Sequence, residues 1–407
     1  MTAPAIPARA APGHTFALLD GLRGVAAILV VVRHAPNLFG LQPGAVETHL
    51  AVDLFFVLSG FVLAHAYAAR VRDGLPARAF LRIRVIRLYP LYALGLALTV
   101  AVALLSFAVG QGPGFSPSAL ALSTLCSALM LPTPPAVSTL PAAIFPLNFP
   151  SWSIFFELIA NMAFFYGLSA LSARRLAAFV ALAFAGLCAV ALQAGDLDVG
   201  YTWNEVHAGL IRVMFAFPVG VLLYRRWIAR ASGAPRRLAS GNAGAVACLA
   251  ALTLVLVVPV PALVKPVYDV LVVAFVFPAL VYAAAGITPG PRLAALCLKA
   301  GAASYPLYIL HAPCVAWVEA VGRRMPGVAD RIAAPYAGLA FLVVLLAACL
   351  VLVRVYDAPA RRRLGRLAIP KPDQTLRADR TLQADRTLQA DRTLRADRTL
   401  RADIARS

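Results

Sequence analysis

Apolar stretches near or above 18 residues recur down the chain, separated by short polar or basic connections. As helices, such stretches cross a hydrocarbon core of about 30 Å. Helix is the form to expect, because backbone amides in lipid must be satisfied within their own segment. The short alternating segments of a membrane barrel are absent. The pattern predicts ten spans, at roughly 16–36, 50–69, 88–110, 151–171, 176–194, 208–225, 242–262, 267–287, 303–321 and 335–356. Segment 118–131 is shorter and flanked by prolines, and reads as a surface or re-entrant piece. The expected fold is all-α, a polytopic helical bundle in the membrane.

Composition agrees. Of 407 residues 61% are hydrophobic and only 14% charged, against about a quarter charged in soluble domains, and the mean hydropathy is +0.79. A net charge of +19 would bring nucleic acid to mind in a soluble protein. Here the arginines fall in alternate connections, which is a topology signal, and no nucleic acid partner is expected. Connections 70–87, 172–175, 225–241 and 288–302 are basic, whereas 37–49, 110–150 and 195–207 carry no Lys or Arg and 261–266 has only Lys265. The positive-inside rule then puts both termini in the cytoplasm of a plasma-membrane protein. One connection disagrees: 322–334 holds Arg323, Arg324 and Arg331. The first apolar stretch contains Arg23 and His34 and is followed by no clean cleavage site, so it reads as a retained helix. The six cysteines are scattered, with no CxxC or Cys/His cluster, and no disulfide framework or metal site is indicated. The membrane domain spans 16–356, after an N-terminal segment 1–15. Beyond it lies a basic tail, 357–407, in which a hexapeptide (TLRADR or TLQADR) recurs from Thr375. With one leucine per unit the repeat cannot bury a core, and disorder is expected there.

Ionisable groups inside membrane helices are costly and are functional candidates for that reason. The first helix has Arg23 and His34, eleven residues apart and so on one face. The rise between them is about 16 Å, roughly half the bilayer core. Asp53, near the start of the second helix, lies at a depth comparable to His34. It either caps that helix or orients the imidazole as a triad carboxylate does. Ser59-Gly60 suits close helix packing. Arg84 and Arg87 stand where the third helix leaves the basic side, and arginine forks suit phosphate; taken alone, ordinary topology bias is the plainer account of them. Trp152 fits an interface belt, while Glu157, in an apolar setting, must be protonated, paired or facing water. His311 sits between Pro306 and Pro313, where broken helix is tolerated if the backbone lines a cavity.

Taken in order, these elements resemble the membrane acyltransferase-3 family. An arginine, ten residues, then a histidine stand in LDGLRGVAAILVVVRH (Arg23, His34); an aspartate precedes FFVLSGF (Asp53); a basic pair (Arg84, Arg87) precedes LYP. SWS is followed by a glutamate (Ser151, Trp152, Ser153, Glu157), and SYPLYILH supplies Ser304, Tyr305, Tyr308 and His311. The resemblance covers most of 16–320. It implies O-acylation of a carbohydrate or other hydroxyl acceptor from acyl-coenzyme A, a co-substrate rather than a bound cofactor, with no metal. Arg84 and Arg87, with Arg23, would hold the coenzyme. His34 would be the general base, with Asp53 and Glu157 as its catalytic companions and Trp152, Tyr308 and His311 in binding roles. Some relatives carry a soluble esterase-like domain after the membrane part, and a partner of that kind is expected to be a separate chain here. The rival classes are a proton-coupled secondary transporter, which would show internal repeats, and a flippase for lipid-linked sugars.

Overall fold

The structure is a computed structural model, and it describes residues 16–42, 46–110, 114–231, 239–324 and 334–368. The N-terminal segment 1–15, Arg331 and the hexapeptide repeat lie outside the described residues, as do the side chains of Arg323 and Arg324. The chain divides into two units, one ending at Pro359 and the other beginning at Ala360.

The first unit is helical almost throughout. Its elements are α1 (Ala17–His34), α2 (Ala51–Arg72), α3 (Ala77–Ala108), α4 (Pro117–Ala128), α5 (Ser151–Leu168), α6 (Ala173–Ala194), α7 (Val206–Ala231), α8 (Asn242–Val257), α9 (Lys265–Ala285), α10 (Pro291–Arg324) and α11 (Tyr336–Leu352). Among the described residues eight helices are long and apolar enough to cross a membrane. The other two expected spans, α1 with its charges Asp20, Arg23 and Arg33 and the 16-residue α8, pack among those eight. The third expected span begins too late: α3 starts at Ala77, so Arg82, Arg84 and Arg87 are helical. Helix α4 is the short piece expected near 118–131. Beyond Pro359 the described tail continues as helix to Ala368, with Arg361, Arg362, Arg363 and Arg366.

The basic connections and those poor in Lys and Arg separate to opposite ends of the bundle. At one end a two-residue parallel ladder joins Ala239–Ser240 to Ile287–Thr288. At the other, an isolated bridge joins Ala143 to Thr202, and Trp203 Nε1 donates to the Thr133 carbonyl. We call these the arginine end and the histidine end. The connection 129–150 folds over the histidine end, burying Ile144, Phe145 and Asn148.

Pro306 and Pro313 do not break their helix, contrary to the expectation: α10 runs unbroken through both. A proline removes the N–H that would bond the carbonyl four residues back. For Pro313 that carbonyl belongs to Ile309, and Asn148 Nδ2 donates to it at 3.1 Å. Connection 129–150 thus supplies the missing donor, in a place where water cannot.

Small residues set the helix spacing. α1 lies along α10, with Gly24 against Ala300 and Gly301 against Asp20. α2 lies along α7, where Gly60 and Gly220 face each other's helix backbone. A Cβ at Gly60 would stand 2.0 Å from the Phe217 carbonyl oxygen, and one at Gly220 would stand 2.1 Å from that of Val57. Overpacking a core commonly costs about 1–3 kcal/mol. Gly60→Val and Gly220→Val should therefore lower the yield and thermal stability of the detergent-solubilised protein. Gly167→Val, where a Cβ meets nothing within 4 Å, should not; equal behaviour of all three would refute this packing.

Candidate active site

At the histidine end a pocket of ≈ 410 Å³, counting its open mouth, is walled by residues of α1, α2, α5, α7, α10 and three connections. His34 and His311 stand side by side in it, ring centroids 4.8 Å apart. Each ring is oriented by its own helix. His34 Nδ1 lies 2.8 Å from the Val30 carbonyl and His311 Nδ1 lies 3.1 Å from that of Leu307, one turn back in each case. A carbonyl only accepts, so both Nδ1 atoms carry the proton. This leaves both Nε2 atoms with a lone pair. His311 is fully buried, and its Nε2 has no partner among the described residues.

The remaining wall is aromatic and ionic. Phe149 and Tyr201 pack edge to face at 4.9 Å, with Trp152 beyond at 6.2 Å. Ser153 Oγ donates to the Pro150 carbonyl and so receives the Tyr308 hydroxyl, at 2.6 Å. Arg33 pairs with Asp198 and also donates to the Val46 carbonyl at 2.7 Å. Burial works against ionisation of Asp198, but Arg33, with His49, Arg212 and Lys265 behind it, holds its carboxyl below the usual carboxylate range.

The family model of the acyltransferase domain matches residues 16–354, which takes in every group just described. The chain belongs to the acyltransferase-3 family. Over 161 residues it is 43% identical to "Protein 2 in picA locus" of Rhizobium radiobacter, an alignment covering 38% of this chain and 82% of that protein. No solved structure matches. Membership decides for a membrane acyltransferase against the transporter and the flippase.

In this acyltransferase the sequence-derived residues divide between the two ends. His34, Trp152, Tyr308 and His311 share the pocket. Arg23, Arg84, Arg87 and Glu157 lie toward the arginine end. There Glu157 Oε1 accepts from Arg84 Nη2 at 3.1 Å and from Ser59 Oγ at 2.6 Å. Arg84 is buried, and its Nε reaches the side-chain oxygen of Asn161 at 3.0 Å when that amide is turned oxygen-inward. Arg23 pairs with Asp20 at 2.8 Å, within electrostatic reach of Arg87 and Glu157, and Arg87 is exposed.

Two expectations need correction. Glu157 is not a companion of His34: it stands five residues past Trp152, about 7.5 Å further along α5, which carries it off the pocket wall and onto Arg84. Nor does Asp53 orient the imidazole, since the Val30 carbonyl does that. Asp53 is instead gripped by Arg212 of α7 through two parallel bonds, Nε–Oδ1 at 3.2 Å and Nη2–Oδ2 at 2.7 Å.

Arg212 was not anticipated, nor were Arg33, His49, Asp198, Tyr201 or Asp269. Arg212 and Asp269 carried the same signal as Glu157, a charge inside an apolar span; the rest sit at helix ends or in connections where polarity is ordinary. Fully buried, Arg212 also donates to the carbonyls of Val199 and His49, and its guanidinium lies 5.4 Å from the Trp152 ring centre. His49 in turn meets Asp269 at 2.9 Å, beside Glu47. Glu47, His49 and Asp269 are a donor set a cation could use, but Lys265 Nζ, 3.0 Å from Glu47, already supplies positive charge there.

Removing one partner of a buried ion pair typically costs about 3–5 kcal/mol, whereas an apolar replacement of both can be neutral. Arg212→Met and Asp53→Leu should each depress the thermal midpoint of the purified protein, and the double variant should recover most of the loss. Singles as stable as wild type would show that the pair does not hold α2 to α7.

Proposed function

We propose that this membrane acyltransferase transfers an acyl group, acetyl in the simplest case, from acyl-coenzyme A to a hydroxyl of a carbohydrate or similar acceptor, with His34 as general base. The observation that carries this reading is the Nε2 lone pair of His34. Its Nδ1 proton is committed to Val30, and its free nitrogen lines a pocket that also contains an aromatic wall and an ion pair. A general base needs an unprotonated nitrogen within reach of a hydroxyl, and proton transfer of this kind is worth about 10²–10⁴-fold.

The donor and the acceptor approach from opposite ends. Arg84, Arg87 and Arg23 offer the guanidinium chemistry that suits the coenzyme's phosphates. The positive-inside bias of the connections supports reading that end, and both termini with it, as cytoplasmic, the side on which acyl-coenzyme A is made; the membrane of this reading is the plasma (inner) membrane. The acceptor enters at the histidine end, where Tyr201, Phe149 and Trp152 provide faces for a sugar ring and Asp198 and Arg33 provide partners for its hydroxyls. As the hydroxyl oxygen attacks the thioester carbon, its proton passes to His34 Nε2. The C–O bond forms, the C–S bond breaks, and His34 returns the proton to the departing thiolate.

Membranes carrying the protein, given radiolabelled acetyl-coenzyme A, should pass label to envelope material. His34→Ala should lower that transfer by about 10²–10⁴-fold. Arg84→Ala/Arg87→Ala should raise the acyl-coenzyme A requirement more than the acceptor requirement. Full turnover by a folded His34→Ala protein would refute the mechanism.

A further inference from the structure

The imidazolium that forms when His34 takes a proton has no carboxylate hydrogen-bonded to it among the described residues; Asp198, on the same wall, acts on it through space only. Asp53 is committed to Arg212, Glu157 to Arg84 and Ser59, and Asp198 to Arg33. A second imidazole on the pocket wall is able to accept a hydrogen bond from a proton-bearing nitrogen. The His311 ring is 4.8 Å from that of His34 by centroid, near enough for ring nitrogens to come to hydrogen-bond distance. His311 cannot donate from the nitrogen it presents, because its single proton is on Nδ1 and held by the Leu307 carbonyl. Its Nε2 is a buried acceptor without a partner. A buried polar atom left unsatisfied costs free energy unless a partner arrives in the working cycle.

We infer that His311 is the positioning partner of His34: its Nε2 accepts a share of the hydrogen bond from the Nε2–H that His34 acquires during acyl transfer, alongside the substrate atom that gives or takes that proton, while the Val30 carbonyl keeps the Nδ1–H that a triad gives to its carboxylate. This rests on His34 being the general base and adds the group that stabilises its charged form. The bookkeeping of the step is unchanged. The acceptor O–H bond breaks toward His34, C–O forms, C–S breaks, and the proton goes on to sulfur, while His311 stays neutral throughout. A neutral partner fits this wall better than a carboxylate would. The site must hold the base unprotonated at rest, and a second imidazole stabilises the cation without a permanent negative charge. It also assigns His311 a role other than binding acyl donor or acceptor.

The other titratable or charged groups on the pocket wall are Arg33, His49, Asp198, Tyr201, Arg212 and Tyr308, and all are kept in the test. The variants are His311→Leu, which fills the buried volume without an acceptor atom, and His311→Gln, whose amide oxygen keeps one. Losing a hydrogen bond to a charged group corresponds to about 10- to 100-fold. His311→Leu should therefore lower kcat by about that much, with KM for both substrates near wild type. An acceptor bond favours the protonated form of His34. Its loss should move the acid limb of the kcat/KM profile, where activity rises as His34 sheds its proton, to lower pH. His311→Gln should restore the limb and most of kcat. A raised KM with the limb unmoved would overturn the inference and make His311 a binding residue. If the Leu protein fails to accumulate, the Gln protein decides alone: wild-type kcat and limb support the inference, and a low kcat with a displaced limb contradicts it. Loss of activity in His34→Ala together with normal His311→Leu would sink this inference and leave the general base standing. An active His34→Ala would sink the base itself.

Discussion

A charged group enclosed by apolar helices has no water to fall back on, and that constraint organises this molecule. The Arg212–Asp53 pair is its clearest expression. Neither side chain reaches solvent: the two meet through parallel bonds between α7 and α2, and the spare guanidinium protons go to the carbonyls of Val199 and His49. Those carbonyls belong to two connections at the histidine end, so one arginine joins two helices and two loops behind the pocket. Trp152 lies against the same guanidinium. The glycine crossing of α2 on α7 brings the backbones close enough for the pair to form. The buried charges hold the ends of distant segments where the pocket needs them. Their net contribution to stability is a separate matter, since such pairs seldom exceed an apolar replacement.

The same constraint acts at other depths. Pro313 deprives Ile309 of its helical donor, and Asn148 supplies one from the connection that caps the histidine end. Arg84, buried near the arginine end, is matched by Glu157 and Asn161. The histidine pair stands apart. Both rings are fixed by backbone carbonyls, yet each keeps a nitrogen that the resting fold does not use. What distinguishes them from other buried polar atoms is that the two rings stand side by side on a pocket wall.

How much of this was legible beforehand follows from the range of each interaction. Helix count and alternation of basic connections are local and periodic, and they read directly from the chain. The Arg23–His34 spacing is local too, and its placement of the two groups on one helix at different depths agrees with the fold. Pairing is not local. Asp53 and Arg212 are 159 positions apart, and nothing in DLFFVLSGF says that its aspartate is committed to α7 and not to the neighbouring imidazole. Glu157 stands out in the sequence as a carboxylate in an apolar setting, but its partner, 73 positions away, decides its role. Arg212 broke the apolar pattern of its span as plainly as Glu157 did, so attention to each charge in a span would have found it. His49, Asp198 and Tyr201 lie in polar connections, and only folding distinguishes them.

The central claim is that a donor held at the arginine end presents its acyl carbon to His34 at the other. A cryo-electron microscopy structure of the full chain with an unreactive thioether analogue of acetyl-coenzyme A tests it most directly. The account predicts the coenzyme's phosphates against Arg84 and Arg87, and the carbon that replaces the acyl carbonyl facing His34 Nε2 in the pocket. Phosphates seated at the histidine end, against Arg33 or Arg212, with the thioether pointing away from His34, would contradict it.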